Sequence, residues 1–324
     1  MSLTNKEIYT KTIGFSIRRL LWDILATVIF VLFSALGFFI LEQTSNKGLI
    51  GLGIGALVGG IVIAFLLRYV SYTYKAGQIA MMTKGVTGDK LEGDVIAEGK
   101  KIVKEHFTTV AAYFAITGVI KGIFNQLGRA ITAIGQSIGG DTGNAVGSTI
   151  SAVISTIVAY LCDCCLGWVF YREDVSAGKA TCEGAVLFFR HGKTLAKNLG
   201  RVFGMSILSF IVIGGIFFGI FYLIMSLFPD AFANLSHEII EAGARAGSNL
   251  PEWVSNVNTL TIVAAAVTAI LLWSFIQSTF VRPFILVGVL RNYIKSGIDD
   301  IPTEKSFDEL DKKSDKFAKL HSEL

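Results

Sequence analysis

The chain has 324 residues, of which 52% are hydrophobic and 17% are charged, and its mean hydropathy is +0.59. Soluble domains are rarely this apolar, and 34 Gly beside only 4 Pro is typical of membrane helices that pack through small residues. The net charge of +4 arises from cations dispersed among acidic neighbours, which argues against a nucleic-acid partner. The composition predicts an all-α integral membrane protein whose surroundings are the lipid bilayer.

Six apolar stretches are each long enough to cross about 30 Å of hydrocarbon, which takes roughly 20 helical residues. They cover residues 20–41, 49–69, 107–128, 147–170, 203–227 and 259–281. Arg18 and Arg19 lead directly into the first stretch with no short apolar region and cleavage site, so we expect a retained signal-anchor. The sequence predicts a transmembrane domain over 20–295, with cytoplasmic segments at 1–19 and 296–324.

Charge sets the predicted orientation, because loops on the cytoplasmic side of a membrane carry the excess of Lys and Arg. When the six stretches cross the membrane in alternating directions, about 25 of the 29 Lys and Arg lie on one side. The loops on the other side hold only Lys47, Arg129 and Arg245. We therefore expect both termini in the cytoplasm and the protein in the plasma membrane. The six helices form three hairpins in this arrangement, each preceded by an amphipathic cytoplasmic stretch.

A weak match between residues 99–104 and 192–197 accompanies this layout. It indicates an internal repeat about an axis along the membrane normal. It is equally expected if basic residues simply precede each outgoing helix.

The C-terminal region changes character after the last stretch. Pro283 lacks an amide donor and is predicted to interrupt the helix. Residues 284–293 are too short to cross again and are predicted to lie along the inner interface as an amphipathic helix. Further on, one narrow helical face could dock on a partner or on the chain's own loops, and it is formed by Phe307, Leu310, Phe317 and Leu320. The high Lys and Asp content favours a solvated helix instead.

Asp163 is the leading candidate for a functional residue, because ionisable side chains within a membrane span are costly. It lies roughly eight residues from the cytoplasmic end of the fourth stretch, or about 12 Å deep at 1.5 Å per residue. A carboxylate there must face a protein interior or an aqueous cavity. It could bind a cation, carry a proton or pair with a buried donor.

Four further polar residues within the stretches are candidates for a transport pathway. Asp23 lies beside Trp22 near the inner interface, where a helix-start or interfacial role is expected. Lys121 lies near the outer end of the third stretch, where it can snorkel to headgroups or line an exterior vestibule with Asn125, Gln126 and Arg129. Trp273 and Gln277 are i, i+4 neighbours on one helical face.

Glycine ridges indicate close helix packing. Gly51, Gly55 and Gly59 recur every four residues in the second stretch, and further glycines follow at 135–147. Such ridges serve contacts within the chain, between copies of it or with another membrane protein. Residues 135–147 are polar enough to form an exterior loop, a re-entrant segment or a helix.

Motifs for catalysis and metal binding are missing from the sequence. Cys162, Cys164 and Cys165 have no second Cys pair or His at ligand spacing. No His lies in an HExxH arrangement or near a GxSxG elbow. We therefore predict no enzyme activity, no cofactor and no metal site.

The Cys-rich run Leu161-Cys162-Asp163-Cys164-Cys165-Leu166-Gly167-Trp168 resembles a helix end of the choline transporter-like family. The segment after it is similar as well, with small residues at 181–185, an aromatic pair at 188–189, then Asn198 and Arg201-Val202. The resemblance covers about a third of the chain and implies a choline-like organic cation as substrate. Family members have more spans and a large exterior loop, and no binding residue is carried over.

These features predict a transporter or permease for a small or lipid-related solute. The alternative is a non-catalytic membrane scaffold or accessory subunit, which the glycine ridges and the charged tail favour. A membrane-embedded enzyme ranks third, because it requires a cluster of His and carboxylates at one depth.

Overall fold

A computed structural model describes residues 3–45, 48–139, 143–245 and 251–324. Helices form throughout this part of the chain, and no strand occurs in it, which confirms the all-α class. The helices are α1 Asn5–Ser45, α2 Gly48–Val70, α3 Ala76–Thr87, α4 Val95–His106, α5 Val110–Gly139, α6 Gly143–Tyr171, α7 Ala177–Ser209, α8 Gly215–Ser226, α9 Pro229–Arg245, α10 Val257–Ile276, α11 Arg282–Asp299, α12 Glu304–Asp311 and α13 Asp315–Ser322. Three π-helical turns lie between them, at Ser71–Lys75, Phe210–Gly214 and Gln277–Val281.

Four helical stretches in the described residues are long and apolar enough to cross a membrane, namely Asn5–Ser45, Ile50–Thr87, Gly204–Ser226 and Val257–Asp299. They correspond to the first, second, fifth and sixth predicted spans and indicate an integral membrane protein. Val95–His106 and Val110–Gln126 are long and apolar enough to cross a membrane only when taken together, and they are bent by 79° relative to each other. If they form one span, the number of spans rises to five.

The predicted spans at 107–128 and 147–170 are not confirmed. Large exposed apolar side chains are numerous up to Tyr69 and again from Phe189 onward, but none occurs between these positions among the described residues. Val158–Tyr171 is apolar but shorter than a span, and its side chains are mostly buried in protein. The large apolar side chains described in this part of the chain are therefore buried or half-buried.

Two compact units divide the chain, the first formed by Met1–Gly200 with Pro283–Leu324 and the second by Arg201–Arg282. The first unit buries most of the large apolar side chains, including Phe15, Phe107, Phe124, Trp168 and Tyr293. These side chains come from helices far apart in sequence, so the core forms only when the helices meet.

Glycines set the crossing of α1 and α2. A Cβ on Gly37 would overlap the carbonyl of Gly51, and a Cβ on Gly55 would overlap the carbonyl of Phe33. The predicted ridge in the second stretch therefore packs against α1.

Residues 135–139 and 143–147 are helical. Residues 140–142 and Lys47 lie outside the described residues, and so do the side chains at 135–147, of Arg129 and of Arg245.

Helix α11 differs from the predicted interfacial helix. A π-helical turn precedes Arg282, and the helix continues through Pro283 rather than ending there. Its apolar residues are buried in the first unit, and Arg291 bonds Asn5 and the carbonyl of Leu3 instead of facing headgroups. Its less buried residues, Phe284, Gly288, Arg291, Lys295 and Ile298, form one stripe, and the opposite face packs in the protein core.

The C-terminal tail is docked, and the preference for a solvated helix was wrong. Phe307, Leu310 and Phe317 are each at most 2% exposed, and Leu320 is 9% exposed. The tail also reaches α5, where Gln126 Oε1 accepts a hydrogen bond of 2.9 Å from Ser314.

This contact bears on membrane topology. Gln126 and Ser314 must lie on the same side of the membrane, although the sequence predicted the Lys121–Gln126 end of α5 outside and the tail inside. Only one of those two placements can hold.

Addition of a methyl group at the helix contact tests the α1–α2 crossing. Gly55→Ala is expected to destabilise the protein by about 1–3 kcal/mol, because its Cβ meets backbone that cannot move aside cheaply. Gly53→Ala is the matched control on the same helix, since nothing lies within 4 Å of its Cβ. Thermal unfolding in detergent measures both, and equal midpoints would contradict the packing.

Truncation of Phe317 tests the docked tail. Phe317→Ala is expected to cost about 3–5 kcal/mol, the usual penalty for emptying a buried aromatic site. Limited proteolysis should then cut the tail faster, whereas Asp308→Ala on the exposed face of α12 should leave cleavage unchanged. A tail that is cleaved equally fast in wild type and Phe317→Ala would be solvated after all.

Candidate functional site

Asp163 lies on α6 and forms an ion pair with Lys75, whose Nζ is 2.7 Å from Asp163 Oδ1. The Asp163 side chain is 5% exposed and that of Lys75 is 30% exposed. Lys75 ends the π-helical turn that joins α2 to α3. Such turns occur often at functional sites, because they displace a side chain from the regular helical direction.

Close packing of α6 against its neighbours fixes the position of the Asp163 carboxylate along the helix. A Cβ on Gly167 would come within 2.5 Å of Leu290 and 3.0 Å of Thr83 Oγ1. Only glycine lets α6 approach α3 and α11 this closely. Asp163 precedes Gly167 by about one helical turn and so faces the same packed interior.

An aromatic cluster lies beside the ion pair. Tyr113 is 4% exposed and lies within electrostatic range of Asp163. Its ring centroid is 5.6 Å from those of both Tyr72 and Phe107, in edge-on geometry. The Tyr72 hydroxyl donates a 2.8 Å hydrogen bond to the carbonyl of Phe107, which joins the π-helical turn to the end of α4.

A cleft of about 460 Å³ opens at the interface of α3, α4 and α6. Its lining includes Thr83 and Phe170, together with the Lys84–Glu98 ion pair. Charged side chains of both signs make up the rest of its polar wall, at Asp89, Lys101, Glu105 and Glu173. A polar opening therefore lies on the same α3–α6 interface as Asp163.

Trp273 and Gln277 belong to the second unit and contact the same serine. Ser209 Oγ lies 2.6 Å from Gln277 Oε1 and 3.1 Å from Trp273 Nε1, which donates to it. Gln277 Nε2 donates to Ser206 at 2.9 Å. The cluster connects the start of one π-helical turn, at Gln277, with the residue before the other, at Ser209.

An apolar cleft of about 260 Å³ adjoins this cluster. The ring centroids of Phe210, which lines the cleft, and Trp273 are 5.0 Å apart. Gly214, Gly215 and Ala266 leave the cleft open between α8 and α10.

The remaining candidates lie away from these clusters within the first unit. Asp23 pairs with Arg19 at 3.8 Å, one helical turn away, as an interfacial residue would. Lys121 is exposed on α5. The structure brings Asp163 together with Lys75 and Tyr113, neither of which sequence reasoning selected, because helix contacts that are distant in sequence leave no local signal.

Glu183 is a buried carboxylate that the sequence did not reveal. It is 1% exposed and accepts hydrogen bonds from Trp168 Nε1 at 3.0 Å and from Arg172 at 2.8 Å. Burial raises the pKa of Glu183, and Trp168 and Arg172 offset that effect only in part. The exposed Asp174 behaves oppositely, since its hydrogen bond from Arg172 lowers its pKa.

The four cysteines form no disulfide, and Cys164, Cys165 and Cys182 are buried. Burial, with Asp311 and Glu183 nearby, raises the pKa of Cys182 to about 12, which keeps this thiol protonated. Within the described residues, no group of three or more His, Cys, Asp or Glu is placed to hold a metal ion.

No protein-family model matches the chain, and neither a curated protein nor a solved structure matches it.

The pH dependence of stability tests the environment of Glu183. Native Glu183 holds its proton more tightly than the unfolded chain, so its contribution to stability falls as pH rises from about 4.5 through the raised native pKa. Glu183→Gln should therefore flatten the decline in thermal midpoint between pH 4.5 and neutrality. Asp174→Asn should change only the acid side, because the lowered pKa of Asp174 adds stability that is lost as pH falls below about 3.8. Identical pH profiles for wild type and Glu183→Gln would contradict the assignment.

Proposed function

We propose that the protein is a transporter or permease for a small or lipid-related solute, and that the Lys75–Asp163 pair is its central polar site. The observation that carries the proposal is this nearly buried ion pair, next to a π-helical turn in a chain with four apolar spans. Removing two charges from water is costly, and ionisable groups among apolar helices are functional candidates by default.

The chemistry of the pair suits a charged solute. Asp163 can exchange Lys75 for a substrate cation, and the released Lys75 can remain hydrated because it is partly exposed. Alternatively, a proton on Asp163 would release Lys75, which would couple the pair to a proton gradient.

Choline-like organic cations are the substrates we propose to test first, on the resemblance of roughly residues 155–220 to the choline transporter-like family. Tyr72, Phe107 and Tyr113 beside the carboxylate support this class, because aromatic rings attract quaternary ammonium groups.

The proposed topology has both termini in the cytoplasm of the plasma membrane. The hairpin of α1 and α2 enters the bilayer from that side, and so do the spans at Gly204–Ser226 and Val257–Asp299. Gln126 then lies on the cytoplasmic side with the tail it contacts. Six spans in three hairpins would place Gln126 outside, so this proposed topology has four spans.

A non-transporting scaffold or accessory subunit is the second candidate. The dense contacts of Trp168 favour it. The ring lies so close to Gly297 that a Cβ there would overlap it, and this tight packing makes the core rigid. Glycine faces that are open, such as those at Gly53 and Gly60, would then contact a second copy or a membrane partner.

Solute uptake into proteoliposomes tests the transporter. Uptake of choline, other organic cations and lipid precursors is measured with and without a proton gradient, for wild type, Asp163→Asn and Lys75→Gln. Asp163→Asn is expected to reduce uptake at least roughly tenfold, the effect of about 1.4 kcal/mol. Glu98→Gln, which breaks the Lys84–Glu98 pair, is the matched control and should keep uptake within about twofold of wild type.

Two results would overturn the proposal. Wild-type protein that is inserted and folded but moves no solute would favour the scaffold. Equal losses in Asp163→Asn and Glu98→Gln would show that any broken ion pair in the first unit impairs the protein.

A further inference from the structure

The α1–α2 hairpin has a sharp boundary between its exposed and its buried surface. Large apolar side chains are exposed along α1 from Ile17 onward and along α2 as far as Tyr69. On the other side of this boundary, Phe15 is 1% exposed and Val70 is 2% exposed. An apolar surface that is exposed in this way is a lipid-facing surface, so the boundary marks where the hairpin leaves the bilayer.

Two arginines lie at this boundary. Gly37 faces Gly51 and Phe33 faces Gly55, which fixes the antiparallel register of the two helices. The same register brings Arg68 opposite residue 20, within one helical turn of Arg18. Both side chains are exposed.

Helix α4 adds a third cation on the protein side of this boundary. Gly99 packs against Phe15 and Gly77, which anchors α4 across the base of the hairpin. The next residue, Lys100, places its Nζ 4.6 Å from the centroid of the Tyr74 ring. Tyr74 lies in the π-helical turn that follows α2, so Lys100 is held beside the boundary.

Among the described residues, Asp94 lies within electrostatic range of Arg18 and Lys100 but forms no ion pair with either. Asp94 accepts hydrogen bonds from the backbone of Ile96 and Ala97 as the N-cap of α4. These bonds, chiefly that from Ala97, lower its pKa, and Arg18 and Lys100 contribute from a distance. Asp23 is paired with Arg19 at 3.8 Å.

We propose that Arg18, Arg68 and Lys100 form a binding surface for the headgroups of anionic phospholipids. Guanidinium groups bind phosphate oxygens in a bidentate manner, and basic clusters next to a membrane span attract anionic lipid. The acyl chains would lie on the exposed apolar side chains directly beyond the cations, such as Leu21 and Phe65. This continuity favours a lipid over a soluble phosphate, and the surface is independent of any transported solute.

Lipid selectivity of the full-length protein tests the surface. The association of spin-labelled phosphatidylglycerol is compared with that of phosphatidylcholine carrying the same chains, in nanodiscs of unlabelled phosphatidylcholine. Wild type should prefer phosphatidylglycerol. Lys100→Gln alone should reduce the preference about fivefold, which corresponds to about 1 kcal/mol per basic residue near a membrane surface. The triple Arg18→Gln, Arg68→Gln and Lys100→Gln variant should abolish it.

A charge-matched control separates this surface from net charge. Lys6, Lys90 and Lys305 are exposed in the first unit away from the boundary, and their triple Gln variant should keep the wild-type preference. Equal losses in the two triple variants would overturn the proposal, as would an unchanged preference in the boundary variant. Competition by soluble glycerophosphate at the same concentration would show a phosphate site and not a lipid surface. Lys100→Gln keeps the test decisive if the triple variant fails to fold.

Discussion

The burial of Trp168 is the constraint on which the first unit depends. This side chain is fully buried, and three helices meet on it. Its own helix, α6, carries Gly167; α7 supplies Glu183, which accepts the indole N–H at 3.0 Å; and α11 supplies Gly297, where any Cβ would overlap the ring. A bulky aromatic against bare backbone leaves no room for adjustment, so the positions of α6, α7 and α11 are set together.

The Lys75–Asp163 pair gains its geometry from this arrangement. Asp163 lies about one and a half helical turns before Trp168 on α6, so the helix that is fixed by the ring also fixes the carboxylate. Lys75 reaches it from the π-helical turn after α2, at the point where the lipid-facing hairpin meets the protein core. A change in the hairpin would therefore alter the distance between the two charges. An ion pair with a purely structural role needs no such connection to a membrane span. The connection is therefore the feature that makes this pair a candidate for transport.

Sequence reasoning succeeded where one local pattern determines the structure. Long apolar runs predicted α1, α2 and the spans at Gly204–Ser226 and Val257–Asp299, and the four-residue glycine spacing predicted a tightly packed ridge in α2. Trp273 and Gln277 were predicted on one helical face, and both contact Ser209. The partners themselves, Ser209, Lys75 and Tyr113, could not be predicted, because they come from other helices.

Hydropathy alone does not tell whether an apolar helix faces the bilayer or a protein core. Residues 107–128 have the composition of a span, yet Ile120, Ile123 and Phe124 are each at most 1% exposed, packed within the protein. The exposed positions of the same helix hold Ala115, Gly118 and Lys121, which are poor lipid-facing residues. Helix α1 shows the opposite distribution, with large apolar side chains exposed at Leu21 and Phe39. The two helices therefore differ in where their large apolar side chains lie, a property that the mean hydropathy of a window does not record.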